Sequence, residues 1–173
     1  KTKKKPRNKK HITSIPSNNN NPINKIPYEL HKHILNILKE SDGIGISGAN
    51  ENTDESLLQY NKIVKGSYNL SNSSVLKKKK LLAIHAAESS FAVTYSKQNT
   101  GKSEIERIVQ FLKPDFVIHM TKATNYDLDL ISQNKIGIVI CPRANSALRV
   151  GLPNIKKMLD FRCTVAIGTD NVM

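Results

Sequence analysis

His85, His119 and Asp170 each close a short apolar run. "LLAIHAAES", residues 81–89, ends its run on His85 and places Glu88 three positions later; "FVIHM" carries His119 and "TVAIGTD" carries Asp170. Imidazole and carboxylate are costly to bury without partners, so side chains of this kind at the ends of apolar runs need a reason. Two imidazoles and one carboxylate form a donor set for a hard or borderline divalent ion such as Zn²⁺. The competing reading is three unrelated strand-end residues, each hydrogen-bonded locally.

Those residues need elements that carry them to one place. "PYELHKHILNILKE" has Leu30, Ile34, Ile37 and Leu38 at helical spacing, and Asp42-Gly43 ends it. A short strand "IGIS", 44–47, follows, and "NTDESLLQYNKIV" reads as a helix capped by Thr53 with Asp54 and Glu55 in its first turn. Beyond the polar link "KGSYNLSNSSVLKKKK" come the strand "LLAIH" and the helix "SEIERIVQFL", which opens on a Ser103/Glu106 capping box and is stopped by Pro114. The strand "FVIHM", the helix "NYDLDLISQ", the strand "IGIVIC", the helix "NIKKMLDF" and the strand "TVAIGTD" complete the series. Strands alternating with helices imply right-handed crossovers and a parallel sheet. The predicted class is α/β, a partial (β/α)8 barrel of about five parallel strands with covering helices.

Alternation along the strands then predicts where the polar groups point. In "LLAIH", Leu82 and Ile84 share one face and Ala83 and His85 the other; in "FVIHM", Phe116 and Ile118 oppose Val117 and His119; in "TVAIGTD", Val165 and Ile167 oppose Ala166, Gly168 and Asp170. The expectation is that His85, His119 and Asp170 meet at the C-terminal rim of the barrel, where such folds build their chemistry.

"AIHAAES", "VIHMT", "VICPRANSALRVGLPNIKKML" and "VAIGTDN", in that order, resemble the fifth to eighth strands of the amidohydrolase superfamily. The nearest group is the cytosine deaminase, chlorohydrolase and adenosylhomocysteine deaminase branch. The resemblance covers residues 42–173, with "DGIGISGANENTDESL" as the fourth strand and its loop. It implies a metal-dependent hydrolase of non-peptide carbon–nitrogen bonds, an aminohydrolase of a cyclic amidine such as a nucleobase or nucleoside derivative. The implied cofactor is a divalent metal, zinc with iron as the alternative. The implied metal ligands are His85, His119 and Asp170. The implied catalytic residues are Glu88, as the proton shuttle, His119, which orients the attacking water or the developing oxyanion, and Asp170, which accepts a proton from the water. Arg143 and Asn145, after the seventh strand, are candidate substrate contacts.

One feature of the family is missing. Its His-x-His pair at the end of the first strand has no counterpart, because His31 and His33 in "LHKH" fall on a helical pattern, where residues two apart point about 200° apart. The expectation is therefore a fragment of a longer protein that alone binds metal weakly.

Charge is concentrated. Residues 1–10 hold seven cations and Lys77–Lys80 four, 11 of the 27 Lys and Arg; subtracting these from the net +13 leaves +2 for the rest. Residues 1–26 read as a basic, low-complexity, disordered segment and residues 27–173 as the barrel domain. The alternative function, from another class, is a non-catalytic barrel homologue that binds nucleic acid through this segment; the hydrolase reading instead expects a small-molecule substrate and no nucleic acid, and is compatible with a homo-oligomer. Cys141 and Cys163 make no disulfide framework. With no signal-peptide pattern and no apolar run near the ~18 residues of a membrane span, the expectation is a reduced, cytoplasmic protein. Cys141 is either a nucleophile or a buried thiol. "NTGKSE" lacks the glycine that a phosphate loop needs five positions before Gly101, where Ser96 stands.

Overall fold

The computed structural model describes residues 28–69 and 79–170. The segment 1–26, and with it the nucleic-acid reading, lies outside the described residues. Elements run in the order α1 (Tyr28–Glu40), β1 (Gly43–Ile46), α2 (Asp54–Asn69), β2 (Leu81–Ala86), α3 (Ser90–Thr100), α4 (Glu104–Arg107), continued as a π-helical turn Ile108–Leu112, β3 (Phe116–His119), α5 (Asn125–Gln133), β4 (Gly137–Ile140), α6 (Pro142–Ala147), α7 (Ile155–Asp160) and β5 (Val165–Ile167). The five strands form one parallel sheet in the order β1-β2-β3-β4-β5. This is the alternating α/β architecture that the sequence predicts, with strands in chain order as in a barrel wall.

The pairing shows which face is which. Ile44 pairs with Leu82, Ile84 with Val117 and Ile138 with both Val117 and Val165, and paired residues of a parallel sheet share a face. That face is dry: Leu82, Ile84, Val117 and Ile138 are at most 1% exposed, covered by the helices. Burying an aliphatic side chain this completely is worth about 1.5–3 kcal/mol, so the helix-covered face carries the core. The opposite face holds Gly45, Ala83, His85, Phe116, Ile118, Val139 and Ala166.

Here the expected alternation fails on one strand. Val117 belongs with Ile84 on the helix side and Phe116 and Ile118 belong with Ala83 and His85, the reverse of the expectation for β3. His119, paired with Ala86, would by strand parity point into the helix layer. It does not, because its φ is +76° and that of Met120 is +53°. Two successive left-handed residues end the period-two rule, and the ring turns to the His85 side.

Two helices were not foreseen. α3 is capped by Ser89, whose side chain accepts the Ala92 N–H, and ends on Gly101 in the left-handed conformation. α6 is a short helix with Pro142 in its first turn. α2 runs into the segment expected to be a polar link and reaches Asn69. The Ser103/Glu106 capping box is present, and a second one, Thr124/Asp127, opens α5. The Ser103 hydroxyl also donates to Asp127 at 2.9 Å, joining the two caps.

Arg107 fastens the loop after β1. It is 3% exposed, and its guanidinium donates to Asp54 Oδ1 (2.7 Å), the Ala49 carbonyl (2.9 Å) and the Asn52 carbonyl (2.6 Å). At the opposite end of the sheet Asp115 accepts the Leu82 N–H at 2.8 Å and pairs with Lys65 and Lys79. Cys141 and Cys163 are both free and buried. No helix among the described residues is long and apolar enough to cross a membrane.

Candidate metal centre

The C-terminal ends of β2, β3 and β5 bring the three donors together. One ligand atom from each of His85, His119 and Asp170 lies within 4.8 Å of the other two, and this is the group suited to a metal among the described residues. The rings of His85 and His119 meet edge to face, centroids 4.8 Å apart and planes at 85°. His85 reaches the mouth as the last inward residue of β2. His119 arrives through its left-handed backbone, and Asp170 through a left-handed φ of +58° beyond β5.

Gly168 makes that last approach possible. A Cβ there would stand 2.8 Å from Val139 Cγ1 and 3.4 Å from Cys141 Sγ, inside contact distance. Without one, the Gly168 N–H donates to the Ile140 carbonyl at 2.8 Å and carries the chain past β4 to Asp170.

The donor set fits a metal on its own chemistry. His119 is fully buried. Its Nδ1 lies 2.7 Å from Asn145 Oδ1; a carbonyl oxygen only accepts, so Nδ1 donates there, and the lone pair of the neutral ring, the form that binds a metal, is on Nε2. That Nε2 is buried with no hydrogen-bond partner, 3.4 Å from Asp170 Oδ2 and 3.6 Å from Glu88 Oε1. An orphaned acceptor in a buried site is expensive unless something binds it. Burial, and then the neighbouring His119, hold His85 below its ordinary value against the pull of Asp170, Glu88 and Glu51. It is therefore neutral at pH 7, as a metal ligand must be.

Glu88 lies in the loop after β2, partly buried, with its carboxylate beside His119. A small cavity of about 60 Å³ opens next to His85 between the loops that follow β1 and β2; Asn50, Glu51, Glu88 and Glu104 are among its lining residues. Asn145, expected at the substrate, is instead fully buried behind His119. Arg143 is exposed on α6, and His31 and His33 are exposed on α1. The Cys141 thiol takes the backbone N–H of Asp170, and burial, followed by the Asp170 charge, pushes its pKa up. A thiol held protonated in this way is a poor nucleophile, which favours the buried-thiol reading.

Sequence reasoning missed Glu104. It is 4% exposed, with Oε2 accepting the Ala87 N–H at 3.0 Å and Oε1 accepting Asn50 Nδ2 at 3.1 Å. Burial pushes its carboxyl up to about 7, against the lowering by the Ala87 N–H. Its place in the capping sequence S-E-I-E marks it only as a first-turn acid; its partners lie 17 and 54 positions away.

The profile of the Amidohydrolase family matches residues 29–173. The chain belongs to this family. It is 43% identical over 141 residues to an uncharacterized protein of Methanocaldococcus jannaschii, covering 81% of this chain and 35% of that protein. It is 31% identical to a putative aminohydrolase of Methanothermobacter thermautotrophicus, with 84% and 35% covered. A 5-methylthioadenosine/S-adenosylhomocysteine deaminase of Desulforamulus reducens is 30% identical over 50% of this chain and 21% of its own length. Among solved structures, a zinc-bound adenosine deaminase of Xanthomonas campestris superposes with a TM-score of 0.68 at 18% identity, covering 83% of this chain and 32% of that one. The chain spans about a third of the length of the Methanocaldococcus jannaschii and Methanothermobacter thermautotrophicus relatives. The amidohydrolase fold and the resemblance expected from "AIHAAES" through "VAIGTDN" are thus shown.

Proposed function

We propose that the complete protein is a zinc-dependent aminohydrolase acting on an amino-substituted heterocycle of the nucleobase or nucleoside class. The observation that carries this reading is the orphaned His119 Nε2 facing Asp170 and Glu88 beside His85. The deaminases among the relatives support the substrate class.

His85, His119 and Asp170 would hold the ion. A divalent ion there supplies Lewis acidity and makes hydroxide available near neutral pH. The remaining work belongs to the chain. Asp170 accepts the proton that leaves the attacking water as the new C–O bond forms at the amidine carbon. Glu88 relays the other proton of the water to the ring nitrogen, so that charge does not build up on the heterocycle. The C–N bond to the amino group then breaks as the amine takes the proton that Asp170 holds and departs as ammonia, leaving a carbonyl at that carbon. Asn145 fixes the His119 ring by holding Nδ1, leaving the Nε2 lone pair free to hold the ion.

The test is ammonia release by the intact, zinc-loaded protein from 5-methylthioadenosine, S-adenosylhomocysteine and guanine. Release from at least one of these, abolished in Glu88→Gln with zinc content preserved, is the expected result. Stoichiometric zinc with no ammonia from any of the three would overturn the deaminase reading.

A further inference from the structure

Glu88 is useful only if its carboxylate is aimed, and the loop that bears it runs through an awkward residue. Ala87, between the end of β2 and Glu88, has φ +48°, a conformation that residues with a Cβ adopt reluctantly. Its peptide groups are gripped from two sides. The Ala87 carbonyl accepts the Lys122 N–H at 2.8 Å, and the Ala86 carbonyl accepts the Met120 N–H at 3.0 Å. These contacts come from the segment that follows β3. The Ala87 N–H goes to the carboxylate of Glu104, which is buried at the start of α4.

The other oxygen of Glu104 reaches the loop after β1. It accepts Asn50 Nδ2 (3.1 Å), and the same amide donates to the Ala92 carbonyl in the first turn of α3 (3.0 Å). One carboxylate therefore joins the β1 loop, the Glu88 loop and the helix that starts after Glu88. These segments also line the cavity beside His85. A core packing role would call for an apolar side chain here. A buried acid is retained at a desolvation penalty, and both of its oxygens are spent on the two loops that shape the site.

We infer that Glu104 is a positioning residue for the reaction: its carboxylate holds Ala87 in the left-handed turn that aims Glu88 at the centre, and ties that turn to Asn50. The inference rests on Glu88 being the proton shuttle, and the experiment separates the two ideas.

Amide exchange at Ala87, followed in the intact metal-free protein, reads the anchor directly. Exchange is expected to accelerate at least tenfold in Glu104→Ala and to return towards wild type in Glu104→Gln, whose amide oxygen still accepts an N–H. Glu104→Asp, one methylene shorter, serves the same purpose if the alanine variant fails to fold. Unchanged Ala87 exchange overturns the inference. Ammonia release from 5-methylthioadenosine by the zinc-loaded protein reads the consequence. Glu104→Ala is expected to lower kcat tenfold or more with KM moving less than threefold, and to have no further effect in a Glu88→Gln background. Equal factors in both backgrounds would show that Glu104 does not act through Glu88. A fully active Glu88→Gln variant would instead refute the proton-shuttle reading, with the Ala87 exchange still deciding whether Glu104 holds the turn.

Discussion

The two ends of the sheet are built to opposite standards. At the end where β2 begins, polar groups are saturated: Asp115 takes the Leu82 N–H and the charges of Lys65 and Lys79, and Lys80 donates to the Ser41 carbonyl. At the other end His119 Nε2 and Asn145 Nδ2 are buried without partners; left-handed non-glycine backbone occurs at both ends, at Lys113, Lys135 and Arg162 before β3, β4 and β5 as well as at Ala87, His119, Met120 and Asp170. Saturated polar groups contribute stability, whereas orphaned buried groups lower it and persist where a ligand or a reaction uses them. The same sheet thus carries a stabilising end and a working end.

Substitutions at the two ends should separate these roles. The largest effect is expected at the working end. Asp170→Ala in the intact protein removes one of three donors and should weaken zinc binding by more than the roughly 10–100-fold seen when a residue behind a ligand is lost. It should leave the urea midpoint of the metal-free protein unchanged. Zinc competition titration and equilibrium unfolding check the two halves.

Next in size are opposite pH dependences from a buried acid, Glu104, and a half-buried one, Asp115. Glu104 is raised from an ordinary 4.5 to about 7 by burial, with Glu51 and Asp127 adding to the rise and Arg107 opposing it. The folded protein therefore binds its proton more tightly than the unfolded chain. Stability should be highest below 4.5 and fall as pH rises from 4.5 to 7, by on the order of 3 kcal/mol from this group. Glu104→Gln should flatten that slope. Asp115 has the other sign: burial alone would raise it, but Lys65, the Leu82 N–H and Lys79 outweigh burial and lower it. Its contribution should be complete above its ordinary 3.8 and disappear as pH falls through the lower folded value.

At the saturated end, Asp115→Ala should cost about 2 kcal/mol of stability, the scale of charge-assisted hydrogen bonds, with zinc affinity unaltered. The smallest effect should be that of Asn145→Ala, which frees His119 Nδ1 and weakens zinc binding by about tenfold. If Asn145→Ala instead changed only KM for the nucleoside, Asn145 would be a substrate contact and the contrast between the ends would need redrawing.

Much of this was legible in the chain. The order of strands and helices follows from apolar runs and caps: Ser103/Glu106 reads as a helix start and is one, and Thr53 caps α2 by accepting the Ser56 N–H at 3.1 Å. α3 was not, because "SFAVTYSKQNT" has no strong apolar stripe, and Phe91 and Tyr95 remain exposed. Within the site, His85 and Asp170 fall on the face expected of them. His119 was placed correctly for a wrong reason, since strand alternation put Val117 beside Ala83 whereas the register puts Phe116 there.

The sequence by itself determined which side chains were available and that alternating strands would deliver them to one rim, because period-two and period-3.6 patterning and capping depend on residues a few positions apart. Only the tertiary structure decided that His119 leaves the strand in a left-handed turn, that Asn145 stands behind it, and that Glu104 and Arg107 hold the loops. Those roles depend on buried polar groups finding partners far along the chain, from 17 positions for Glu104 and Ala87 to 58 for Arg107 and Ala49. No local pattern encodes such a pairing, because it forms only when folding removes water from both groups at once.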